Sequence, residues 1–178
     1  MHSRFVNFCF VLGLACLLVA CGFQLRGTGG SRAAVPESWK SMHLVTGNPN
    51  SEFSRNVTAL FAANGVNWTD SESASFNLVL TPESFEQRNL SLNSEARVAE
   101  FELTMRSQFS VLDASRKEVM PPTAVTVVKQ MENDPRNVVG KEGEMRLIQN
   151  EMRYELAEQI MRRISFFASS KQSGPPGS

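Results

Sequence analysis

An alternating stretch from Ala99 to Val111 constrains the fold more than any other part of this sequence. Its odd-numbered positions are mostly apolar, namely Ala99, Phe101, Leu103, Met105, Phe109 and Val111. The even-numbered positions between them, from Glu100 to Ser110, are polar. Because successive side chains of a strand point to opposite faces of a sheet, this period predicts a long antiparallel strand with one buried and one solvated face.

Shorter patterns predict three further strands. They are residues 42–45, residues 76–92, which Pro82 interrupts, and residues 123–128, which are rich in β-branched side chains and follow Pro121-Pro122. Polar turns at 93–95 and 113–118 separate the last three strands of the predicted sheet. We therefore expect those three strands to form an antiparallel meander joined by hairpins.

Two amphipathic helices are predicted, over Ser51–Asn64 and Glu142–Phe167. Ser51 is a natural N-cap for the first helix, and Asn64-Gly65 is a typical stop signal. The second helix follows a loop at 133–142 and carries acids early and arginines late, which suits the helix dipole. Its methionines are interpreted as core residues.

The element order β-α-β-β-β-α predicts an α+β fold. We expect a two-layer sandwich in which two α-helices pack on one face of a four-stranded, largely antiparallel sheet. This single domain would span residues 37–168, followed by a disordered tail at 169–178 that is rich in Gly and Pro. A composition of 42% hydrophobic and 20% charged residues is typical of globular proteins.

The N-terminus has the features of a removable signal peptide. Phe8–Val19 is a nearly apolar segment of twelve residues behind a single positive charge, Arg4, and it is too short to span a membrane. The following Leu18-Val19-Ala20-Cys21 looks like a bacterial lipobox. Residues 1–20 would then be removed and Cys21 would carry S-diacylglycerol and N-acyl groups. An ordinary secretion signal cut near Ala20 is the alternative.

The mature chain would be held together by its core alone. Removal of residues 1–20 takes away Cys9 and Cys16, so Cys21 is the last cysteine and no internal disulfide can form. The 18 basic residues lose only Arg4, which leaves 17 against 18 acidic residues and no general attraction for nucleic acid. Residues 21–36 are predicted to be a flexible lipidated tether with a reach of at most ~50 Å.

The residues do not form a recognisable catalytic set. His43 is the last histidine after cleavage and is interpreted as an exposed strand residue, and no Ser lies in a G-x-S-x-G motif. Glu100 and Glu102 are interpreted as solvated surface groups rather than as an acid–base pair. We therefore predict a protein that is not an enzyme, with no metal and no cofactor other than the covalent lipid on Cys21.

The segment Cys21-Gly22-Phe23-Gln24-Leu25-Arg26-Gly27 resembles the start of mature members of the LptE family, the lipopolysaccharide-assembly lipoproteins of Gram-negative outer membranes. Further matches follow in order: Gly47–Ser51, Asn64-Gly65-Val66, Ala99-Glu100-Phe101, Asp134-Pro135, Lys141, Glu144, Glu151-Met152, Ala157, Gln159-Ile160 and Arg163. The resemblance extends from Cys21 to about Ile164.

The resemblance implies two helices on a four-stranded sheet, residence as a plug inside the LptD β-barrel, and delivery of lipopolysaccharide to the outer leaflet of the outer membrane. Gly22, rather than Asp, is consistent with sorting of the anchored chain to the periplasmic leaflet of that membrane. A binding or pilot lipoprotein of another envelope transport or secretion machine is the alternative function. A hydrolase is a third hypothesis, for which no residue stands out.

The resemblance also implies a lipopolysaccharide site with basic residues. Lys141 matches the family's basic position just before the last helix, where a phosphate group and exposed N–H groups would attract one another. The family's second basic position aligns with Ser94, and Arg97 lies three residues further on. Lys141 and Arg97 are therefore the candidate binding residues. A solvated loop lysine is the alternative for Lys141.

Overall fold

The computed structural model describes residues 35–92, 94, 98–133 and 138–172. The predicted signal peptide and lipidation site, Arg97 and the last six residues of the predicted tail lie outside this part of the chain. The elements, in order, are a 3₁₀ turn at Glu37–Trp39, β1 at Ser41–Thr46, α1 at Glu52–Ala63, β2 at Asn67–Trp68, β3 at Phe76–Leu80, β4 at Ser84–Leu92, β5 at Val98–Asp113, β6 at Glu118–Glu132 and α2 at Val138–Gln172.

The α+β fold with two helices is confirmed, but the sheet has six strands rather than four. The predicted strand at 76–92 is divided into β3 and β4. Pro82 cannot donate a ladder hydrogen bond, and the preceding Thr81 instead bonds Gln108 through both its backbone N–H and its hydroxyl. Strand β2 has only two residues, so no alternation of apolar and polar residues could predict it from the sequence.

Strand β5 is the centre of the sheet. Along one edge it pairs antiparallel with β3 through residues 109–113 and with β4 through residues 98–106. Along its other edge it pairs antiparallel with β6 over nearly its whole length. The meander of β4, β5 and β6 is thus confirmed, whereas β1 pairs in parallel with both β2 and β3 and makes the sheet mixed.

Strand β6 is longer than the predicted 123–128 because the strand continues through Pro121-Pro122. The prolines lie where the pairing register with β5 shifts, between the pairs Phe109–Thr123 and Val111–Met120. A register shift leaves residues outside the regular ladder, so the missing amide hydrogens are tolerated there.

The first helix forms as predicted. The Ser51 hydroxyl accepts a hydrogen bond from the backbone N–H of Ser54 at 3.1 Å, and Asn64 ends the helix before Gly65, whose φ is 88°. Only glycine adopts that backbone angle without strain, which explains the chain reversal at this point.

Helix α2 is longer than predicted at both ends. It begins at Val138 rather than at Glu142, and it continues to Gln172, so that residues 169–172 of the predicted tail are helical. Lys129 near the end of β6 binds Glu151 and Glu155, and Gln159 donates to the Thr126 carbonyl. Because residue numbers rise along the helix as they fall along the strand, α2 lies antiparallel to β6.

The core lies between the helices and the inward side chains of the sheet. From β5 it includes the odd-numbered Leu103, Met105, Phe109 and Val111, each at most 1% exposed. Helix α2 contributes Met152, Leu156, Ile160 and Ile164, all fully buried. The predicted alternation of β5 is therefore the basis of the packing.

We expect Leu156→Ala to lower the free energy of unfolding by about 2–5 kcal/mol, because it removes a fully buried side chain from the helix–sheet interface. Leu147→Ala on the same helix is the matched control, since Leu147 is 71% exposed. Its expected effect is about 0.5 kcal/mol or less. Urea unfolding followed by circular dichroism measures both, and equal losses would contradict the assigned helix face.

Candidate functional site

Lys141 is held at the start of α2 rather than in a solvated loop. It is the fourth residue of the helix and only partly exposed. Its Nζ donates a hydrogen bond to Asn133 Oδ1 at 2.6 Å and lies 4.4 Å from the ring centre of Phe101. The ammonium group is therefore positioned by a hydrogen bond and a cation–π contact, and among the described residues no partner accepts from its other two donors.

Asn133 connects this lysine to the central strand. Its side chain donates to the Val98 carbonyl at 2.7 Å, and its backbone N–H donates to the Ala99 carbonyl at 2.8 Å. These bonds fix the Asn133 amide on the first residues of β5. The position of Lys141 is thus set by the same strand that organises the core.

A groove of about 390 Å³ lies along the first turns of α2. The side chains that line it are Lys141, Glu142, Met145 and Arg146. They are spaced i, i+1, i+4 and i+5, which places them along one face of the helix. Between Gly140 and Glu151 no described side chain is fully buried, although Met145 and Ile148 pack against the core. The opposite face of this part of α2 is open.

The groove combines charge with apolar surface. Lys141 and Arg146 supply two cations, Glu142 supplies one anion, and the thioether of Met145 supplies flexible apolar surface. Such an arrangement suits an amphiphile that has an anionic head group. Met145 was predicted to be a core residue; it is partly buried and packs against the core, and it also lines this groove.

The structure does not describe the other two predicted site residues. Ser94 is exposed in the turn after β4. Arg97 and Cys21 lie outside the described residues, so no contact is assigned to either of them.

The interpretation of His43 as an exposed residue was wrong. Its ring is half-buried, and Nδ1 lies 2.9 Å from the Thr69 carbonyl oxygen. The parallel pairing of β1 with β2 brings the chain after β2 alongside this side chain. His43 therefore has a structural role, because its ring connects β1 to the chain that follows β2.

The two glutamates of β5 are engaged in cross-strand contacts. Glu100 accepts a hydrogen bond from Ser91 at 2.7 Å, and Glu102 binds Arg88 through two bonds of 2.6 and 2.9 Å. The bidentate contact lowers the pKa of Glu102 and raises that of Arg88. With its pKa lowered, Glu102 is not suited to act as a general acid near neutral pH.

Lys129 and Arg153 form contacts that the sequence analysis did not identify. Lys129 occupies an inward position of β6, where Glu151 and Glu155 raise its pKa through hydrogen bonds. Arg153 on α2 binds Glu83, before β4, and Glu52 in the first turn of α1. Val125, Val127 and Met131 are buried at odd-numbered positions of β6. This alternation could have predicted that Lys129, also at an odd-numbered position, faces inward.

Two kinds of feature are absent from the described residues, a membrane-spanning helix and a cluster of metal ligands. No helix among them is both long enough and apolar enough to cross a membrane. No group of three or more His, Cys, Asp or Glu side chains in residues 35–92, 94, 98–133 and 138–172 is placed to hold a metal ion.

Comparison with known proteins gives a consistent result. The family model LptE, described as lipopolysaccharide-assembly, matches residues 39–164. The LPS-assembly lipoprotein LptE of Pectobacterium atrosepticum is 27% identical over 168 residues, which cover 93% of this chain and 88% of that protein.

Solved structures show the same fold. The crystal structure of rare lipoprotein B from Shewanella oneidensis superposes with a TM-score of 0.66 at 26% identity, covering 74% of this chain and 98% of that one. The solution structure of lipoprotein B from Nitrosomonas europaea gives a TM-score of 0.69 at 20% identity, covering 88% and 99%. The latter likeness concerns the fold alone.

The Arg88–Glu102 pair predicts a pH dependence of stability. Because Arg88 lowers the pKa of Glu102 in the folded state, the pair stabilises the fold above the unfolded carboxyl pKa, and this contribution is lost as the pH falls through the folded pKa. Arg88→Gln should therefore be less stable than the wild type at pH 7, and the gap should close below about pH 4.

Chemical unfolding at a series of pH values measures this gap. In a Glu102→Gln background, Arg88→Gln should show no such pH dependence, because the titrating partner has been removed. A gap that persists in that background would assign the effect to another carboxylate, such as Glu86, which binds Arg106 nearby.

Proposed function

Because the chain belongs to the LptE family of lipopolysaccharide-assembly lipoproteins, we propose that it plugs the LptD β-barrel and helps to assemble this translocon without catalysing a reaction. It would bind lipopolysaccharide for delivery to the outer leaflet of the outer membrane. The match over residues 39–164, which contain both helices' packing faces and all six strands, is the observation that carries the proposal.

The groove at the start of α2 supports direct binding of lipopolysaccharide. Two donors of Lys141 engage no residue in the described part of the chain and would bind a lipid A phosphate, and Arg146 on the other side of Met145 would supply a second cation. Met145 would contact acyl chains. The exposed N–H groups in the first turn of α2 would add to the attraction for an anion.

The anchor is the second part of the proposal. Cys21 would carry the S-diacylglycerol and N-acyl groups and hold the chain at the periplasmic leaflet of the outer membrane. One acyl chain gives only marginal membrane binding and stable anchoring takes at least two signals, so the expected three chains would suffice. The predicted tether of residues 21–36 is shorter at its end, because Val35 is already buried in the core. Residues 21–34 would then allow the domain to enter the barrel while the lipid remains in the membrane.

A binding or pilot lipoprotein of another envelope transport or secretion machine remains the alternative function. It would use the same anchor and the same polar surfaces but a different partner. Depletion of the protein would then leave lipopolysaccharide export unchanged, whereas the proposed function requires export to fall.

We expect Lys141→Asp to weaken the binding of purified lipopolysaccharide about tenfold, because a charge-assisted hydrogen bond is replaced by repulsion. Arg55→Asp is the matched control. Arg55 is an exposed cation on α1, outside the groove. Equal affinities of wild type and Lys141→Asp, with unchanged unfolding curves, would exclude the groove as the binding site.

Barrel binding and anchoring are separated by a second experiment. After mild detergent extraction the wild-type protein should co-purify with LptD, and intact-mass analysis should show lipid on Cys21. Cys21→Ala should lack the lipid and leave the membrane fraction when LptD is absent, but still bind LptD in detergent. Recovery of the wild type as a free monomer would contradict the plug function.

A further inference from the structure

We propose that the end of the domain at which the chain enters the fold rests on the surface of an anionic phospholipid membrane. This tether end consists of exposed Phe166 together with the exposed cations Arg116, Lys117, Arg163 and Lys171. The inference rests on the proposed anchor at Cys21 but does not depend on LptD or on lipopolysaccharide binding.

Aromatic contacts bring the parts of the tether end together. Val35 is buried, and four residues later Trp39 stacks on Phe76 with ring centres 4.1 Å apart. Phe167 meets Trp39 edge to face at 6.0 Å. Phe76 is paired with Asp113, the last residue of β5. The chain start, the β5–β6 turn and the last turns of α2 therefore lie at the same end of the sheet.

Phe166 is the most exposed large apolar side chain among those described, at 78%. Its neighbour Phe167 packs against Trp39, which fixes the backbone that presents Phe166 to the surroundings. An aromatic side chain held out in this way gains free energy when it is transferred from water into the interfacial region of a bilayer.

The cations are held by ordered structure. In the β5–β6 turn the Asp113 carboxylate accepts hydrogen bonds from the backbone N–H groups of Ser115 and Lys117, at 2.8 and 2.9 Å. Arg116 in this turn has φ of 62°, a left-handed conformation that is uncommon for a residue with a side chain. Both basic side chains are exposed at the tip of the turn.

The charge balance of the tether end favours an anionic surface. Glu118 is exposed beside the turn, and Asp70 and Glu72 are exposed in the loop before β3. The Asp113 carboxylate is engaged with the turn backbone, and Glu37 is paired with Lys40. The four exposed cations therefore outnumber these three exposed acids by one. Each basic side chain at an anionic lipid surface adds to binding, which falls off within a Debye length.

Because the chain is anchored through Cys21, even a weak contact between the tether end and the membrane would be sufficient to hold this end on the surface. Thirteen residues lie between Cys21 and Val35, so the fold begins at most about 50 Å from the anchored lipid. Confinement at this distance gives the tether end a high effective concentration at the membrane surface. The α2 groove lies at the opposite end of the helix, so this contact would direct it away from the periplasmic leaflet.

Vesicle binding by the unlipidated mature chain tests the contact. The probe is the chain from residue 21 with Cys21→Ser, mixed with vesicles of phosphatidylethanolamine and phosphatidylglycerol at 3:1. We expect sedimentation with these vesicles, but not with vesicles of phosphatidylethanolamine and phosphatidylcholine. Phe166→Ser and Arg163→Glu should each reduce the affinity about tenfold.

Matched controls come from outside the tether end. Leu147→Ser replaces a 71% exposed apolar residue, and Arg55→Glu reverses an exposed charge on α1, outside both the groove and the tether end. Both should bind vesicles within about twofold of the wild type. The proposal is overturned if the wild type does not bind anionic vesicles, or if the Leu147 and Arg55 variants lose as much affinity as the tether-end variants.

Co-purification distinguishes a membrane contact from a protein contact. If Phe166→Ser loses LptD but keeps its vesicle affinity, the side chain belongs to a protein interface and the membrane contact is wrong. If Phe166→Ser keeps LptD and loses vesicle affinity, the result supports the proposal. Absence of LptD from the wild-type preparation bears on the plug function alone, because the vesicle assay contains no barrel.

Discussion

The hydrophobic face of β5 is the feature on which the rest of the structure depends. This strand pairs with β3, β4 and β6, and its buried side chains include the fully covered Leu103 and Met105. Helix α2 covers this face with fully buried residues such as Leu156 and Ile160. Since burial of apolar side chains supplies most of the favourable free energy of folding, loss of this contact would expose most of the core.

The same helix serves two purposes along its length. From Met152 onwards its inward face is buried, and the ion pairs of Lys129 and Arg153 fix its position relative to the sheet and to α1. Before Met152 the helix lines the groove that contains Lys141. The packed part of α2 after Met152 thus fixes the position of the part before Met152. The cations of the groove are held in place without being buried.

Local signals in the sequence predicted those parts of the fold in which one residue type determines the structure. The Ser51 cap, the Gly65 turn and the period of β5 are of this kind. The two-residue β2 and the start of α2 at Val138 depend on pairing and packing with distant residues, which no local period records. For the same reason the family resemblance identified Lys141 as a candidate binding residue but not Arg146. Only the folded helix shows that both side chains line the same groove.

Strand β6 has a consequence for the behaviour of the protein before it meets a partner. The strand lies at an edge of the sheet, where unpaired backbone groups can recruit strands from other molecules. Pro121 and Pro122 provide no amide hydrogens, Lys129 is a charge on the inward face, and Gln159 occupies the Thr126 carbonyl. Each of these features opposes edge-to-edge aggregation, so separate molecules of this protein are protected from pairing with one another.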